Sequence, residues 1–218
     1  MEITLPSGTP AIVNLPDGDV SMGLVIAPDI GGLRPLFQDL VDRLADDWSM
    51  AVCAVEPFPG QDLPREIPPR MAAVGRLDDD AHLRDLLEGA EATGQDRVGL
   101  IGFCMGGMYT LKAARADRFA RLVAFYGMIK VPEDSRAPGQ GEPLAHLAAG
   151  HPERVLAIIG EQDTYTPPAD VEELEAAGVT VVRYPEAEHG FAHDADRPAH
   201  RAADADDAFT RAREWLRS

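Results

Sequence analysis

Short apolar runs alternate with longer segments of helical periodicity along most of the chain. Eight of these runs predict β-strands, at residues 2–5, 11–15, 22–28, 50–55, 98–103, 122–126, 155–160 and 179–184. Five amphipathic segments predict α-helices, at residues 35–46, 77–92, 105–116, 167–177 and 198–216. Because strands and helices alternate, we expect an α/β fold in which a mostly parallel sheet of about eight strands carries helices on both faces.

Two segments depart from this alternation. Residues 57–74 and 128–150 are rich in proline or glycine and follow the ends of predicted strands. Excursions of this kind run over the surface and often carry binding residues, so we expect them to form the walls of a substrate pocket. The sequence shows no long linker and no internal repeat, and residues 1–218 are expected to form one domain.

The chain is strongly acidic, with a formal net charge of -17 from 20 basic and 37 acidic residues. Such a surface repels polyphosphates and anionic membranes, which argues against nucleic-acid and membrane partners. The first residues lack the basic segment and apolar core of a signal peptide, so a cytoplasmic protein is expected. The two cysteines fit neither a zinc spacing nor a disulfide framework, and Cys53 lies in an apolar run typical of a core thiol. We therefore expect no metal site.

The second cysteine has a different setting. Cys104 lies in the motif Gly102-Phe-Cys-Met-Gly-Gly107, at the end of the predicted strand 98–103 and before a predicted helix. A nucleophile at a sharp turn from strand to helix has strained backbone angles, and its neighbours two residues away must be very small. Gly102 and Gly106 meet that requirement. The motif predicts a nucleophile elbow with Cys104 as the reactive thiol, and a buried cysteine at an ordinary glycine turn is the alternative.

Two further strand ends carry an acid and a histidine. Asp163 follows the strand 155–160, and His189 follows the strand 179–184. Hydrolases with such an elbow place nucleophile, acid and histidine in this chain order, each at the carboxyl end of a strand. Taken singly, a loop aspartate is more often a turn former and a lone histidine is more often structural. Taken together, the three residues predict a catalytic triad.

Four motifs together resemble the dienelactone hydrolase family. They are Gly102-Phe-Cys-Met-Gly-Gly107, Gly160-Glu-Gln-Asp163, Glu188-His-Gly-Phe191 and Ala27-Pro-Asp-Ile-Gly-Gly32. The resemblance spans nearly the whole chain and implies an α/β-hydrolase fold with a Cys-His-Asp triad. It also implies opening of enol-lactones such as 4-carboxymethylenebut-2-en-4-olide, the carboxymethylenebutenolidase activity, or hydrolysis of other lactones and esters.

The resemblance gives each triad residue a role. Cys104 is the nucleophile, His189 is its base and later the acid for the leaving oxygen, and Asp163 orients His189. The helix that begins after the cysteine and a protonated histidine both favour the thiolate. Attack on a carbonyl builds negative charge on its oxygen, so backbone N–H donors must point there in advance. We expect these donors from Met105, after the nucleophile, and Ile30, after the third strand.

Two positions depart from the family pattern. Asp29 stands where the family usually has a glutamate that contacts the resting thiol, and we expect Asp29 still to tune the protonation of Cys104. His193 stands where members that cleave dienelactone carry an arginine for the substrate carboxylate. Imidazole cannot reproduce the bidentate contact of a guanidinium, so dienelactone is one candidate substrate among several. The candidate replacements for that arginine are Arg197, Arg70, Arg65 and Arg76.

The expected pocket and reaction follow from these assignments. Candidate pocket residues are Phe58, Tyr126, Met128 and Phe191, with core packing as the alternative for each. We predict a cofactor-free thiol hydrolase, monomeric or homodimeric, that opens a lactone or small carboxylic ester through an acyl-enzyme on Cys104. A broad esterase or thioesterase with an unrelated substrate is one alternative. A non-catalytic scaffold in which Cys104 senses oxidants is another.

Overall fold

The sheet of the computed structural model confirms the predicted α/β architecture. The structure describes residues 1–64 and 66–218, and Arg65, one candidate for a carboxylate contact, lies outside the described residues. Within those residues eight strands form one sheet. They are β1 (Glu2–Thr4), β2 (Pro10–Asn14), β3 (Gly23–Ala27), β4 (Ala51–Val55), β5 (Val98–Phe103), β6 (Phe119–Phe125), β7 (Val155–Gly160) and β8 (Thr180–Tyr184). Each lies within a few residues of a predicted strand.

The described residues also form seven α-helices. They are α1 (Pro35–Trp48), α2 (Ile67–Val74), α3 (Asp79–Ala92), α4 (Met105–Ala113), α5 (Pro143–Ala148), α6 (Pro168–Ala176) and α7 (Ala202–Arg217). Five of them match the predicted helices, whereas α2 and α5 lie in the segments expected to be irregular. Both carry proline in their first turn, where its missing N–H costs no helical hydrogen bond, so proline starts these helices. No described helix is both long enough and apolar enough to cross a membrane.

The strand order brings two loops side by side. The order across the sheet is β1-β2-β4-β3-β5-β6-β7-β8. The six strands β3 to β8 all run parallel to one another. β3 has β4 on one side and β5 on the other, so the direction in which the chain crosses the sheet reverses there. Ala27 at the end of β3 pairs with Gly102 of β5. Ligands of open α/β sheets bind outside the carboxyl ends of the strands at such a reversal.

Alternate residues of the central strands contribute to two separate hydrophobic cores. In β3, Val25 and Ala27 contact one core and Ile26, between them, contacts the other. The first core includes side chains of α3 and α4, and the second includes side chains of α1 and α7. Helices therefore cover both faces of the sheet, as predicted. Cys53 in β4 is fully buried and its burial raises the pKa of the thiol to about 12, which fits an unreactive core cysteine.

Candidate active site

Cys104 lies at the turn between β5 and α4 in the geometry of a nucleophile elbow. Its φ of 56° and ψ of -115° fall in a region that residues with side chains rarely adopt. Its backbone N–H donates a hydrogen bond of 3.0 Å to the carbonyl oxygen of Phe125, at the end of β6. The neighbouring strand thus helps to hold the strained backbone, and the thiol is partly exposed to a cleft.

Close backbone approach explains the glycines of the elbow. A β-carbon on Gly102 would lie 2.2 Å from the carbonyl oxygen of Gly106, and a β-carbon on Gly106 would lie 2.0 Å from that of Ala27. Real β-carbons essentially never come within 3.0 Å of another heavy atom in this way. Helix α4 therefore packs directly against the end of β3, and no side chain fits at either position.

Asp163 and His189, on the loops after β7 and β8, form an acid–histidine contact. His189 Nδ1 lies 2.7 Å from Asp163 Oδ2. The other carboxylate oxygen accepts a hydrogen bond of 2.8 Å from the backbone N–H of Tyr165, so both oxygens of the acid are fixed. Because an ionised carboxylate only accepts hydrogen bonds, we assign the proton to Nδ1, which leaves Nε2 of His189 for the thiol of Cys104.

His189 responds to both of its partners. Burial lowers its pKa, but hydrogen bonds with the Asp163 carboxylate and the Cys104 sulfur raise the pKa more strongly, to about 9. The rings of Tyr165 and Tyr126 lie 4.8 Å and 5.3 Å from the imidazole ring, measured between centroids, and confine it. The structure thus brings together the three side chains of the predicted triad, and their catalytic roles stay a prediction.

The two residues expected to supply N–H donors line the same cleft as the thiol. Met105 is the first residue of α4, and the first N–H groups of a helix have no acceptor within it. Ile30 lies in the loop after β3, where the Gly32 N–H donates to the Asp29 carbonyl at 3.0 Å. The Arg70 guanidinium donates to the Ile30 carbonyl at 3.2 Å. The turn after β3 and the start of α4 therefore hold the two peptides in place, and the role of their N–H groups as donors stays a prediction.

The cleft beside Cys104 has a volume of about 1320 Å³. Both irregular segments contribute to its walls, as predicted: α2 lies on one side, and Met128 from the 128–150 segment also lines it. Ile67 and Tyr165, also in the lining, are more than half exposed. Exposed apolar groups at a cleft are typical of a surface that contacts ligands.

Three aromatic candidates lie in the core instead of the cleft. Phe58, Tyr126 and Phe191 are at most 2% exposed, and none is among the described residues that line the cleft. Tyr126 and Phe191 pack against each other with ring centroids 5.7 Å apart. Core packing, the alternative interpretation, accounts for their positions. The sequence could not separate the two roles, because an aromatic residue beyond a strand end serves either one.

His193 lies behind the cleft wall. Its side chain is fully buried, and both ring nitrogens have protein partners: Nε2 lies 2.8 Å from Asp29 Oδ2, and Nδ1 contacts the hydroxyl of Tyr126. Burial lowers the pKa of His193 and outweighs the opposite effect of the Asp29 carboxylate. The expected contact between His193 and a substrate carboxylate therefore gains no support from its position.

Asp29 lines the cleft, but other groups engage its carboxylate. Oδ1 accepts hydrogen bonds from the Gly31 N–H at 2.8 Å and from Arg34 at 2.6 Å, and Oδ2 accepts from Arg34 at 2.8 Å. Although burial raises the pKa of Asp29, hydrogen bonds from His193 and Arg34 hold it well below its usual range. No hydrogen bond joins Asp29 to Cys104 among the described residues, so the effect of Asp29 on the thiol stays a prediction.

Of the described arginines, Arg34, Arg70 and Arg197 line the cleft, whereas Arg76 does not. Arg70 donates to three backbone carbonyls, and Arg34 binds Asp29. The Arg197 guanidinium lies on the backbone of Gly190, where a β-carbon would be 2.6 Å from its Nη1. It makes no ion pair within the part of the chain that the structure describes.

Two cleft residues escaped the sequence analysis. Arg34 follows Asp29 by five residues in the same loop, and Tyr165 follows Asp163 by two. The ring of Tyr165 packs on the imidazole of His189. The available signal was proximity in sequence to a predicted site residue.

Comparison with known proteins agrees with the motifs. The family model described as "Dienelactone hydrolase family" matches residues 9–218. The chain is 27% identical over 238 aligned positions to the "Putative carboxymethylenebutenolidase" of Synechocystis sp., covering 99% of this chain and 95% of that protein. It is 28% identical over 183 positions to "Carboxymethylenebutenolidase 2" of Cupriavidus pinatubonensis, covering 80% and 75% respectively.

A solved structure gives the same result for the fold. The crystal structure titled "Putative Dienelactone Hydrolase" from Klebsiella pneumoniae matches with a TM-score of 0.84 at 27% identity, covering 99% of this chain and 97% of that one. The agreement extends across all the strands that position the site. With its α/β-hydrolase fold and a family match over nearly its whole length, this chain is a hydrolase that belongs to the dienelactone hydrolase family.

Proposed function

We propose that this protein hydrolyses a lactone or small carboxylic ester through an acyl-enzyme on Cys104, with carboxymethylenebutenolidase activity as one candidate. The observation that carries the proposal is that Cys104 and His189 line one cleft and that buried Asp163 contacts the histidine, with 2.7 Å between His189 Nδ1 and Asp163 Oδ2. A nucleophile on a strained turn, a base beside it and an acid that orients the base are the parts of a covalent acyl-transfer site.

Acylation begins when the sulfur of Cys104 attacks the carbonyl carbon. His189 accepts the thiol proton, and its pKa of about 9 favours the imidazolium that forms. The N–H groups of Ile30 and Met105 stabilise the negative charge that develops on the carbonyl oxygen. The C–O bond then breaks, and His189 gives its proton to the leaving oxygen. In a lactone that oxygen stays attached to the acyl group as a hydroxyl.

Deacylation reverses the roles of the same groups. Water attacks the thioester carbon while His189 accepts one of its protons, and Asp163 stabilises the imidazolium that forms. The C–S bond then breaks, the sulfur leaves as the thiolate beside the imidazolium, and the product is a carboxylic acid. The cycle consumes one water molecule and restores the free enzyme.

Arg197 is the proposed contact for an anionic group on the substrate. Arg34 and Arg70 have their guanidinium donors engaged by Asp29 and by backbone carbonyls, whereas that of Arg197 bonds to no described residue. Its guanidinium lies on the backbone of Gly190, the residue that follows His189. A guanidinium binds a carboxylate through two parallel N–H bonds, so Arg197 can take over the role of the family arginine that is absent at position 193.

The size of the cleft favours a broad esterase as the second candidate. Its volume of about 1320 Å³ exceeds the roughly 300–1,000 Å³ of most small-molecule sites. Exposed Ile67 and Tyr165 offer apolar contact for a larger acyl or leaving group. A cytoplasmic location and a monomeric or homodimeric state stay predictions, and light scattering on the purified chain would test the second.

Trapping the acyl-enzyme tests the proposal. The protein is mixed with lactones and aryl esters, quenched in acid, digested and analysed by mass spectrometry. An ester should add its acyl group to the peptide that contains Cys104, and a lactone should add its whole mass because ring opening loses no atoms. Cys53→Ala, which removes the buried thiol, is the matched control and should retain turnover.

The same experiment separates the alternatives. Turnover by Cys104→Ala at the wild-type rate would contradict a covalent mechanism on this residue. Inactivity toward every lactone and ester, together with rapid and reversible oxidation of Cys104 by peroxide, would instead favour the redox-sensing scaffold.

A further inference from the structure

A buried chain of hydrogen bonds runs behind the cleft from Arg34 to Tyr126. Arg34 binds both carboxylate oxygens of Asp29 at 2.6 Å and 2.8 Å, and Asp29 Oδ2 lies 2.8 Å from Nε2 of His193. Nδ1 of His193 contacts the hydroxyl of Tyr126. The aspartate, histidine and tyrosine are each at most 5% exposed. We call these four residues the relay.

The relay connects three loops that carry the proposed chemistry. Asp29 and Arg34 flank Ile30 on the loop after β3. His193 lies four residues after His189 on the loop after β8. Tyr126 directly follows Phe125, whose carbonyl accepts the N–H of Cys104. Each proposed catalytic group is therefore linked to a member of the relay, either by a position close to it in sequence or by a hydrogen bond to the residue beside it.

The hydrogen-bond pattern fixes the protonation of His193. The ionised Asp29 carboxylate only accepts, so Nε2 of His193 donates to it and Nδ1 accepts from the Tyr126 hydroxyl. The ring of Phe103 stacks on the imidazole at 4.9 Å, and that of Phe37 lies at 5.9 Å. In this apolar setting burial lowers the pKa of His193, so the imidazole is neutral and fully hydrogen-bonded.

The tyrosine at the end of the relay is itself constrained. Its φ of 39° is positive, which is uncommon for a residue with a side chain. Its N–H donates to the Ile158 carbonyl at 2.8 Å, and its ring packs edge-on against His189 at 5.3 Å. Because Tyr126 is held on several sides, its hydroxyl can hold the ring of His193 in a fixed position.

Asp29 in turn shapes the loop that contains Ile30. Its side chain accepts the Gly31 N–H at 2.8 Å, and its backbone carbonyl accepts the Gly32 N–H at 3.0 Å. These bonds close a tight turn around the Ile30 peptide, whose carbonyl is held from the other side by Arg70. The direction of the Ile30 N–H therefore depends on where the Asp29 carboxylate is held.

We infer that His193 is a positioning residue for the oxyanion hole: it anchors Asp29, and Asp29 orients the Ile30 N–H toward the reacting carbonyl. This inference rests on the proposed thiol-hydrolase function. His193 itself touches neither the cleft nor the nucleophile. The family pattern predicts a residue here that contacts the substrate, whereas His193 makes a buried contact with Asp29.

Removing the Nε2 donor tests the inference. With an activated aryl ester, His193→Leu should lower kcat about 10- to 100-fold, because a displaced oxyanion donor weakens transition-state binding. KM should change little, since the substitution removes no side chain from the cleft lining. His193→Gln places an amide nitrogen near the position of Nε2 and should recover most of the lost kcat. Equal kcat for His193→Leu and the wild type would overturn the inference.

Alkylation of Cys104 by iodoacetamide separates the oxyanion hole from the thiol. Alkylation creates no oxyanion on a carbonyl, so its rate and pH profile should be the same in His193→Leu and wild type. A shift of that profile in parallel with kcat would mean that the relay acts on the thiol, and would overturn the inference. Failure of the wild type to turn over any ester, by contrast, is a failure of the proposed function.

Two further variants guard against a trivial loss of folding. His146→Leu, the matched control, breaks a comparable contact away from the cleft lining, 3.3 Å between His146 Nε2 and Asp79 Oδ2, and should leave kcat unchanged. Tyr126→Phe keeps the ring and removes only the hydroxyl that supports His193. It should lower kcat without moving the alkylation profile, and it decides the question if His193→Leu does not fold. An unchanged kcat in Tyr126→Phe would then count against the inference.

Discussion

This site contains two aspartate–histidine pairs, whose histidines are four residues apart in the chain and differ in charge. His189 Nδ1 is 2.7 Å from Asp163 Oδ2, and His193 Nε2 is 2.8 Å from Asp29 Oδ2. Despite the similar contacts, the pKa of His189 is raised to about 9 and that of His193 is lowered. An aspartate–histidine distance alone therefore does not identify a catalytic base.

The surroundings account for the difference. The His189 side chain is 15% exposed and has the thiol as a second partner, whereas the His193 side chain is fully buried. Burial lowers the pKa of His193 first, and the charges of Arg34 and Arg197 lower it further. Asp29 also pairs with the Arg34 guanidinium, whose positive charge disfavours an imidazolium at His193.

The largest expected effect separates the two acids. Asp163→Asn should lower kcat roughly 10³- to 10⁴-fold, because an amide favours the wrong tautomer of His189 and cannot stabilise the imidazolium. Asp29→Asn should cost only about 10- to 100-fold, through the position of the Ile30 loop. Steady-state kinetics with one activated ester measure both. Equal losses in the two variants would show that the pairs do not have separate roles.

A third buried carboxylate, Asp79, extends the comparison from catalysis to the free energy of unfolding. Burial raises the pKa of Asp79, but hydrogen bonds from His146 and Lys112 hold it at about 2, and Lys112 Nζ lies 2.8 Å from its Oδ1. Lys112→Met should lower the free energy of unfolding by about 3–5 kcal/mol, because it leaves a buried charge without its cation. Urea denaturation measures this loss, and the Asp79→Leu, Lys112→Met double variant should recover part of it. A change within experimental error would contradict the assignment.

Loss of Arg197 is expected to have a smaller effect that depends on the charge of the substrate. Arg197→Met should lower kcat/KM for an anionic lactone about 10- to 100-fold, the loss of one charge-assisted contact, and should barely affect a neutral ester. Arg76→Met, outside the described cleft lining, is the control and should alter neither. An equal loss for both substrates would assign Arg197 a structural role.

The smallest predicted effect concerns the pH dependence of kcat/KM. The pKa of His189 lies above its ordinary value of 6.5, so the imidazolium persists at neutral pH and is lost as the pH rises through about 9. We expect kcat/KM to decline across that range, and the stabilising contribution of the charged histidine to decline with it. His193→Gln should leave the midpoint in place, because His193 is already neutral. A midpoint that moves in this variant would assign the titration to the relay.

Local sequence was enough to predict the strands, the elbow and the order of the chemical groups. Gly102 and Gly106 flank Cys104 at fixed spacing, and the backbone clashes that exclude other residues follow from that spacing. Asp163 and His189 were identifiable because each follows an apolar run that predicts a strand. These features depend on a few neighbouring residues, and their signals are present in the sequence.

The partners of His193 could not be predicted in the same way. Asp29 lies 164 residues away from it in the chain, and no local pattern shows which acidic group a loop histidine will meet. The same holds for Arg34, whose choice between Asp29 and the substrate depends on the packing of the loop. Helices α2 and α5 were missed because they are only 8 and 6 residues long, too short to show a helical period among the prolines and glycines around them.

The contact between Gly106 and the Ala27 carbonyl leaves no gap between helix α4 and the strand that leads to Ile30. The two amides proposed to receive nascent charge belong to the main chain, one on each side of that seam. Exchanging sulfur for oxygen at position 104, or grafting a new segment in place of α5, would leave this pair of dipoles where it is. Proteins with this backbone can therefore differ widely in substrate and still keep the same proposed oxyanion-binding site.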